Sequence, residues 1–508
     1  MTAPVLMVLG TASSVGKSVL VTALCRIARQ DGIRVVPFKA QNMSNNADVT
    51  EDGREIGRAQ SEQAAAAGLA PRWEMNPVLL KPQGDRTSQV VVEGRPAGLL
   101  RAADFVTRKR DLWPHVERGL DALRAEYGLV VAEGAGSPAE TNLRAGDIVN
   151  MRVARHAQAP VLIVGDIDRG GVFAHLFGTL ALLEPDDRAL VRGFVINRFR
   201  GDPALLTPAI EDLEERTGVP VLGVVPWLDG LDVAQEDAVV LERPEDRGDA
   251  GATGVVDIVV VRLPRIANFD DFDPLAAEPG VRLRYVSRPD DLGSPHLIIL
   301  PGTKATVADL EAIRGSGMAG AVLARHAEGV PVVGICGGFQ MLGERIVDPH
   351  GVEAPAGTEV RGLGLLPATT TFAAEKTTRR IDGRVSGARG PWAGIEGAPA
   401  AGYEIHMGTT LVEAPGVHPL LDLGGRADGA ISEDGSVAGC YLHGLFHNNT
   451  LRHALLTALG RPEAPPLTFG RERGYDRLAQ HVRSHLDMDR VYGMLWPDGI
   501  PPEAAHRG

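Results

Sequence analysis

Two short stretches of this chain combine residue types that can do chemistry. In "VLMVLGTASSVGKS" an apolar run, Val5 to Leu9, leads into a glycine-rich turn that ends on Lys17 and Ser18. From Lys17 to Arg29 the apolar residues Val19, Leu20, Ala23, Leu24 and Ile27 recur at helical spacing, so the turn joins a buried strand to a helix. Backbone N–H groups and the positive end of a helix then converge on one point, which favours a polyphosphate. Gly10 and Gly16 frame the turn, Lys17 would neutralise terminal phosphates, and Ser18 would ligate magnesium. Five residues separate the two glycines, where the common phosphate loop has four.

Support for a nucleotide and its metal comes from "GLVVAEGAGS", which delivers Glu133 at a strand end beside Gly134 and Gly136. A hard cation takes oxygen ligands and keeps water, so Glu133 and Ser18 would share one magnesium ion. The second chemical stretch is "VPVVGICGGFQML", in which a buried strand runs through Cys336 into Gly337, Gly338 and a helix. A nucleophile on such a turn stands at the sheet edge, and a helix N-terminus favours thiolate. His443 in "VAGCYLHGLF" is the matching base. Gly302, in "HLIILPGTKAT", and the amide of Gly337 are the candidate donors to a tetrahedral oxyanion. Cys25 and Cys440 are assigned to the core, while His406 and His447 are read as structural or substrate-contacting.

Further polar clusters follow strands where a bare turn would suffice. "FKAQNMSNN" gathers Lys39, Gln41, Asn42, Ser44, Asn45 and Asn46, and "VGDIDRGGVFA" gathers Asp166, Asp168 and Arg169. Both should face the same edge as the phosphate turn. Amides there can donate to carboxylates and accept from amides, so Gln41, Asn42, Asn45 and Asp166 are the candidate substrate contacts. Lys81 in "MNPVLLKP" reads as a buried stem with its ammonium at the surface.

The elements that must position these groups follow from the apolar pattern. "VLMVLG", "IRVVPFK", "GLVVAEG", "APVLIVGDID", "VRGFVIN" and "VPVLGVVP" alternate with helical stretches up to residue 228, as in a parallel sheet covered by helices. Residues 229–254 are acidic and rich in Gly and Ala, the mark of a linker. A second α/β series, 255–451, runs through "VVDIVVVRLP", "VRLRYVS", "HLIILPG", "VPVVGICGG" and "VAGCYLHG". Residues 452–508 are mostly polar and helical. The expected fold class is therefore α/β, with two open, mostly parallel, doubly wound domains.

Bulk properties narrow the function. At 508 residues the chain is too long for one core, so roughly two or three domains are expected. A formal charge of −13 argues against a nucleic-acid-binding surface, though not against a local basic pocket for an anionic substrate. Three cysteines, far apart, make neither a disulfide framework nor a zinc cluster and point to the reducing cytoplasm. No leader or membrane-length apolar run is present, so neither export nor membrane anchoring is expected.

"ICGGFQMLG" with "YLHGLF" resembles the class I (triad) glutamine amidotransferase domain, and "GTASSVGKS" with "VAEGAG" is similar to the dethiobiotin synthetase type of P-loop domain, which has the same longer glycine spacing. Together with "PFKAQNMSNN", "EIGRAQ", "MNPVLLKP", "DIDRGGVFA", "RLPRIANFDDFDPL" and "GYEIHMG", the chain resembles the cobyric acid synthase family, glutamine-hydrolysing ligases of cobalamin biosynthesis. The resemblance covers nearly the whole chain. It implies ATP-dependent amidation of the b, d, e and g carboxylates of adenosylcobyrinic acid a,c-diamide, with glutamine as nitrogen donor, magnesium as cofactor, Cys336 as nucleophile and His443 as base. The wider triad class often has Glu two residues after the histidine; here Leu445 stands there, and the orienting group for His443 is unassigned, with Glu404 as a candidate. Two alternatives remain open: cobyrinic acid a,c-diamide synthase or another ATP-dependent amidotransferase, and a P-loop partitioning ATPase with an inactive amidotransferase-like domain.

Overall fold

The computed structural model describes residues 2–84, 87–101, 105–228, 255–412, 415–461 and 471–505; the expected linker 229–254 lies outside them. The chain divides into two compact units. One comprises Met1–Ser44, Arg54–Asp237 and Gly470–Gly508, the other Asn45–Gly53 and Ala238–Phe469. The units thus cut across sequence order at two places, a short segment near the start and the C-terminal stretch.

The main sheet of the first unit has six parallel strands in the order Val221–Pro226, Val191–Phe199, Val161–Asp166, Val5–Gly10, Leu129–Glu133 and Val35–Phe38. Four of them are buried along their whole length, as expected for parallel strands covered by helices on both faces. Val5–Gly10 lies between Val161–Asp166 and Leu129–Glu133. Gly10, Glu133 and Asp166 therefore end adjacent strands on one edge, the edge where open α/β sheets place their sites.

A second, four-stranded sheet in this unit was not read from the sequence. It runs Gln41–Met43, Val78–Gly84, Thr87–Val92 and Arg95–Arg101. Gln41 and Asn42 pair in parallel with Val78 and Leu79, which makes the "QNM" and "PVLLKP" stretches neighbours. The C-terminal helix Arg471–Arg483 packs on the helix Lys17–Gln30. Tyr475, Leu478 and Val482 share a core with Leu24, Ile27 and Ala28, and Arg26 pairs with Asp476 at 2.7 Å.

The main sheet of the second unit runs Val281–Val286, Val256–Val261, Leu297–Leu300, Val332–Ile335, Val437–Cys440 and Ala430–Ile431, parallel except for the last pair. These sheets bear out the α/β, mostly parallel expectation for both halves. Missing from the sequence reading is a mixed sheet in which the long strand Ala368–Val385 pairs antiparallel with Pro399–Val412. That hairpin carries Tyr403 and Ile405 to the site described next.

Candidate active site

Each unit presents one cluster. In the first, Gly16 holds φ +98, and a Cβ there would lie 2.1 Å from the Asn197 amide nitrogen. Glycine is therefore required by both backbone and space. No side chain caps the helix that starts at Lys17, so its first N–H groups face the turn. Lys17 Nζ donates to Ala12 O at 2.8 Å and to Gly136 O at 3.2 Å, tying the turn to the loop after Glu133. Ser18 Oγ donates to Glu133 Oε1 at 2.8 Å.

Glu133 is 1% exposed and carries two further partners: Lys39 Nζ on Oε1 at 2.8 Å and Gln63 Nε2 on Oε2 at 2.6 Å. Burial alone would push its carboxyl up, but the Lys39 ammonium and the hydrogen bonds from Lys39, Gln63 and Ser18 hold it below its ordinary value. The structure thus brings Gly10, Gly16, Lys17, Ser18 and Glu133 together and adds Lys39 and Gln63. Their signal in the sequence was weak: a lysine closing the apolar "VVPF" run, and a glutamine inside "RAQSEQ".

The hydroxyl of Ser18 and the carboxylate of Glu133 are hard oxygen donors, suited to a magnesium ion whose other ligands are phosphate and water. Among the described residues no group of three His, Cys, Asp or Glu gathers to cage a metal.

Gln41 and Asn42 are buried, two and three residues beyond Lys39. Asn42 donates to Gln60 at 3.1 Å, whereas Gln41 Oε1 is buried without a hydrogen-bond partner. Asn45 falls in the segment belonging to the second unit, and its Oδ1 is likewise unpartnered. Asp166 is engaged within the protein, accepting from Arg198 at 2.8 Å and from the Asp168 amide at 2.9 Å. Lys81 departs from expectation: instead of reaching solvent it is buried against Glu55 at 2.9 Å, an ion pair within the polar interior of this unit.

In the second unit Cys336 ends the strand Val332–Ile335 and adopts φ +51, a conformation that L residues other than Asn and Asp seldom take. Its amide donates to Cys440 O, and its Sγ lies 3.6 Å from Ile405 O. Strain of this kind persists where surrounding bonds over-determine it. His443 and Cys336 both border Gly302, close enough for the sulfur to act on the imidazole, and His443 Nδ1 lies 2.7 Å from Asp271 Oδ2. The other Asp271 oxygen accepts from the Gly444 amide at 2.8 Å. Tyr403 exchanges two backbone bonds with His443 and stacks on its ring, with centroids 5.3 Å apart.

Burial by itself would lower the imidazole pKa, but Asp271 and the Cys336 thiol push it up to about 10. An imidazole so placed can take the thiol proton and keep it. Gly302 borders both groups: a Cβ there would sit 3.0 Å from His443 Cε1 and 3.7 Å from Cys336 Cβ, so only glycine leaves this space open. Gly337 follows Cys336 at the start of the helix Gly337–Leu342.

Asp271 corrects the expectation for the orienting group. Glu404 is turned to Arg379 at 2.6 Å and Arg426 at 2.8 Å, not to His443. Asp271 lies in "RIANFDDFDPL"; two adjacent, buried aspartates between phenylalanines were the available signal. His406 stacks on Tyr441, and His447 Nε2 donates to the Asp270 carbonyl oxygen at 3.3 Å. Cys25 and Cys440 are buried, and burial pushes both thiols up, away from nucleophilic use.

Residues 6–239 match the CobQ/CobB/MinD/ParA nucleotide binding domain, and residues 257–451 match the CobB/CobQ-like glutamine amidotransferase domain. The chain is 56% identical over 499 residues to a cobyric acid synthase of Roseiflexus castenholzii, covering 97% of this chain and 99% of the relative. It is 56% identical over 492 residues to that of Chloroflexus aurantiacus, covering 96% and 98%. It is 48% identical over 502 residues to that of Dehalococcoides mccartyi strain CBDB1, covering 97% and 99%. With a thiol, imidazole and carboxylate aligned in one unit, a phosphate turn in the other, and relatives matching from end to end, the chain belongs to the cobyric acid synthase family.

Proposed function

We propose that this chain converts adenosylcobyrinic acid a,c-diamide to adenosylcobyric acid by ATP- and glutamine-dependent amidation of the b, d, e and g carboxylates, as an enzyme of cobalamin biosynthesis in the cytoplasm. The observation that carries the reading is the Cys336–His443–Asp271 alignment in a chain that also holds a phosphate turn closed by Lys17. Glutamine, ATP and the corrinoid are its substrates. Among the described residues no helix is long and apolar enough to cross a membrane.

In this reading His443 takes the proton of Cys336, and the thiolate attacks the glutamine amide carbon. The resulting tetrahedral oxyanion is met by the amides near Gly302 and Gly337. Collapse breaks the C–N bond as His443 passes the proton to the departing amide nitrogen, which leaves as neutral ammonia; water then hydrolyses the thioester, releasing glutamate and restoring the thiol. Asp271 keeps Nδ1 occupied, so that the other ring nitrogen faces the thiol.

A carboxylate is a poor electrophile because its oxygens share the negative charge. The acceptor oxygen therefore attacks the γ-phosphorus of ATP, ADP departs, and an acyl phosphate forms. Ammonia then displaces phosphate to give the amide. Lys17 and the helix N-terminus stabilise charge on the transferring phosphoryl group. Ser18 and Glu133 would hold magnesium, which when bound with the nucleotide neutralises phosphate charge. Lys39, paired with Glu133 and two residues before Gln41, would contact phosphate or the acceptor carboxylate. Gln41, Asn42, Asn45 and Asp166 are assigned to the acceptor.

Mass analysis of products from ATP, glutamine and the diamide tests the reading. Stepwise gain of up to four amides is expected; recovery of unchanged diamide overturns it.

A further inference from the structure

One feature of the second unit lies outside this chemistry. Asn268 adopts φ 51 and ψ 45, a left-handed conformation that asparagine tolerates better than most residues. From that position it makes a two-sided bond to the segment Asn45–Gly53. Its amide donates to Asn46 Oδ1 at 2.7 Å, and its own Oδ1 accepts from the Ala47 amide at 2.9 Å. Both bonds are buried.

The neighbours of Asn268 are tied to the thiol site. Its carbonyl accepts from the Asp271 amide at 3.1 Å, and Asp271 holds His443. The preceding amide, of Ala267, donates to Gly302 O at 2.8 Å. The same segment approaches the hairpin that flanks Cys336 and His443: Asp48 lies 3.7 Å from the Arg380 guanidinium, and Arg380 pairs in register with Tyr403. On its other side the segment continues, with no intervening residue, from Gln41–Ser44, whose Met43 and Ser44 are tied to Leu80 in the first unit.

We propose that the Asn46–Ala47 bond to Asn268 is a positioning device that sets Asp271 and Gly302, and through them makes glutamine hydrolysis at Cys336 answer to the state of Gln41–Ser44. The proposal rests on the functional reading above, in which Gln41 and Asn42 meet the corrinoid. When that stretch shifts on binding the acceptor, the covalently attached Asn46 and Ala47 transmit the shift to Asn268. Ammonia would then be released at its full rate only when an acceptor is present. Asn268 and Asn46 are positioning residues here; neither touches glutamine.

The test uses the full chain. Glutamate release is measured with and without ATP plus the diamide, and ammonia-driven amidation is measured in parallel. Asn268→Gly keeps the left-handed backbone and removes the acceptor. It should cut stimulated glutamine hydrolysis by about tenfold to a hundredfold, erase the stimulation by ATP and diamide, and leave ammonia-driven amidation at the parent rate. Asn46→Ala should also lose the stimulation, and Asn46→Asp, which retains the accepting oxygen, should keep it. Parent-like stimulation in both disrupting variants overturns the proposal, as does absence of stimulation in the parent. Equal loss of ammonia- and glutamine-driven amidation also overturns it, since the pair would then serve folding alone. A parent that hydrolyses glutamine yet amidates nothing from ammonia defeats the functional reading instead, while the stimulation ratio still judges the pair.

Discussion

Asp271 and His443, 172 residues apart in sequence, meet at 2.7 Å in the interior of the glutamine amidotransferase unit. Both carboxylate oxygens are committed there, one to the imidazole and one to the Gly444 amide, so the ring is fixed in orientation as well as in charge. In the proposed reaction this carboxylate takes the place that the wider triad class often gives to a glutamate two residues after the histidine.

Replacing it should separate the two nitrogen sources. Asp271→Asn keeps the size but removes the charge that helps push the His443 pKa up to about 10. Glutamine hydrolysis should fall by about a hundredfold or more, and the imidazole should titrate at lower pH. Glutamate release across a pH series reads the first effect, and NMR titration of His443 reads the second. An unchanged rate would remove Asp271 from the machinery.

Cys336→Ala removes the proposed nucleophile while leaving the phosphate turn untouched. Glutamine-driven amidation should drop by about a thousandfold or more, with ammonia-driven amidation retained. Loss of both to the same degree would argue against a divided reaction.

Lys17→Ala should act on both routes alike, because in the proposed reaction carboxylate activation precedes either nitrogen source. A fall of about a hundredfold or more is expected in each. ADP formation in the presence of the diamide is the measurement; selective loss of the glutamine route would contradict the assignment.

Glu404 makes a prediction about acid stability. Burial would raise its pKa, but the nearby His406 ring, 3.9 Å away, and the hydrogen bonds from Arg426 and Arg379 lower it from 4.5 to about 2. A carboxylate depressed in the folded state contributes stability that is present above 4.5 and lost as pH falls through about 2. Denaturant unfolding of the parent should therefore weaken on acidification across this window. Glu404→Gln should be less stable at neutral pH and should lose less on acidification; parallel curves for the two proteins would refute the assignment.

Tyr475→Ala tests the packing of the C-terminal helix. The ring is buried in the core it shares with the helix after the phosphate turn, and its hydroxyl donates to Glu62 at 2.5 Å. Truncation should cost about 3–5 kcal/mol, read as a lower denaturant midpoint for the first unit. A loss below about 1 kcal/mol would mean that the helix is dispensable.

The strands of both main sheets were legible because each is an apolar run bounded by turn residues, as in "VLMVLG" and "HLIILPG". Cys336 and the Lys17–Ser18 pair were legible because local geometry, a glycine-flanked strand-to-helix turn, carries their chemistry. The strands Thr87–Val92, Ala368–Val385 and Pro399–Val412 are not legible as apolar runs: each is only partly buried, and polar stretches such as "TSQ" and "EKTTRR" break the apolar signal. Asp271 was missed because its role appears only when residues near 271, 336 and 443 converge, and no period in the sequence marks such a meeting. Lys39 was visible as a polar residue after a strand, but its pairing with Glu133 depends on two strands being neighbours in the sheet.

The return of Arg471–Arg483 and Met488–Leu495 to the first unit bears on how the polypeptide is made. The phosphate turn leaves the ribosome more than 400 residues before Tyr475, and the helix behind it keeps an uncovered apolar flank until Tyr475 and Trp496 emerge. All of the amidotransferase unit is synthesised before that moment. Nascent chains are therefore vulnerable in the unit begun earlier, and loss of the helices Arg471–Arg483 and Met488–Leu495 would leave it exposed to aggregation and proteolysis.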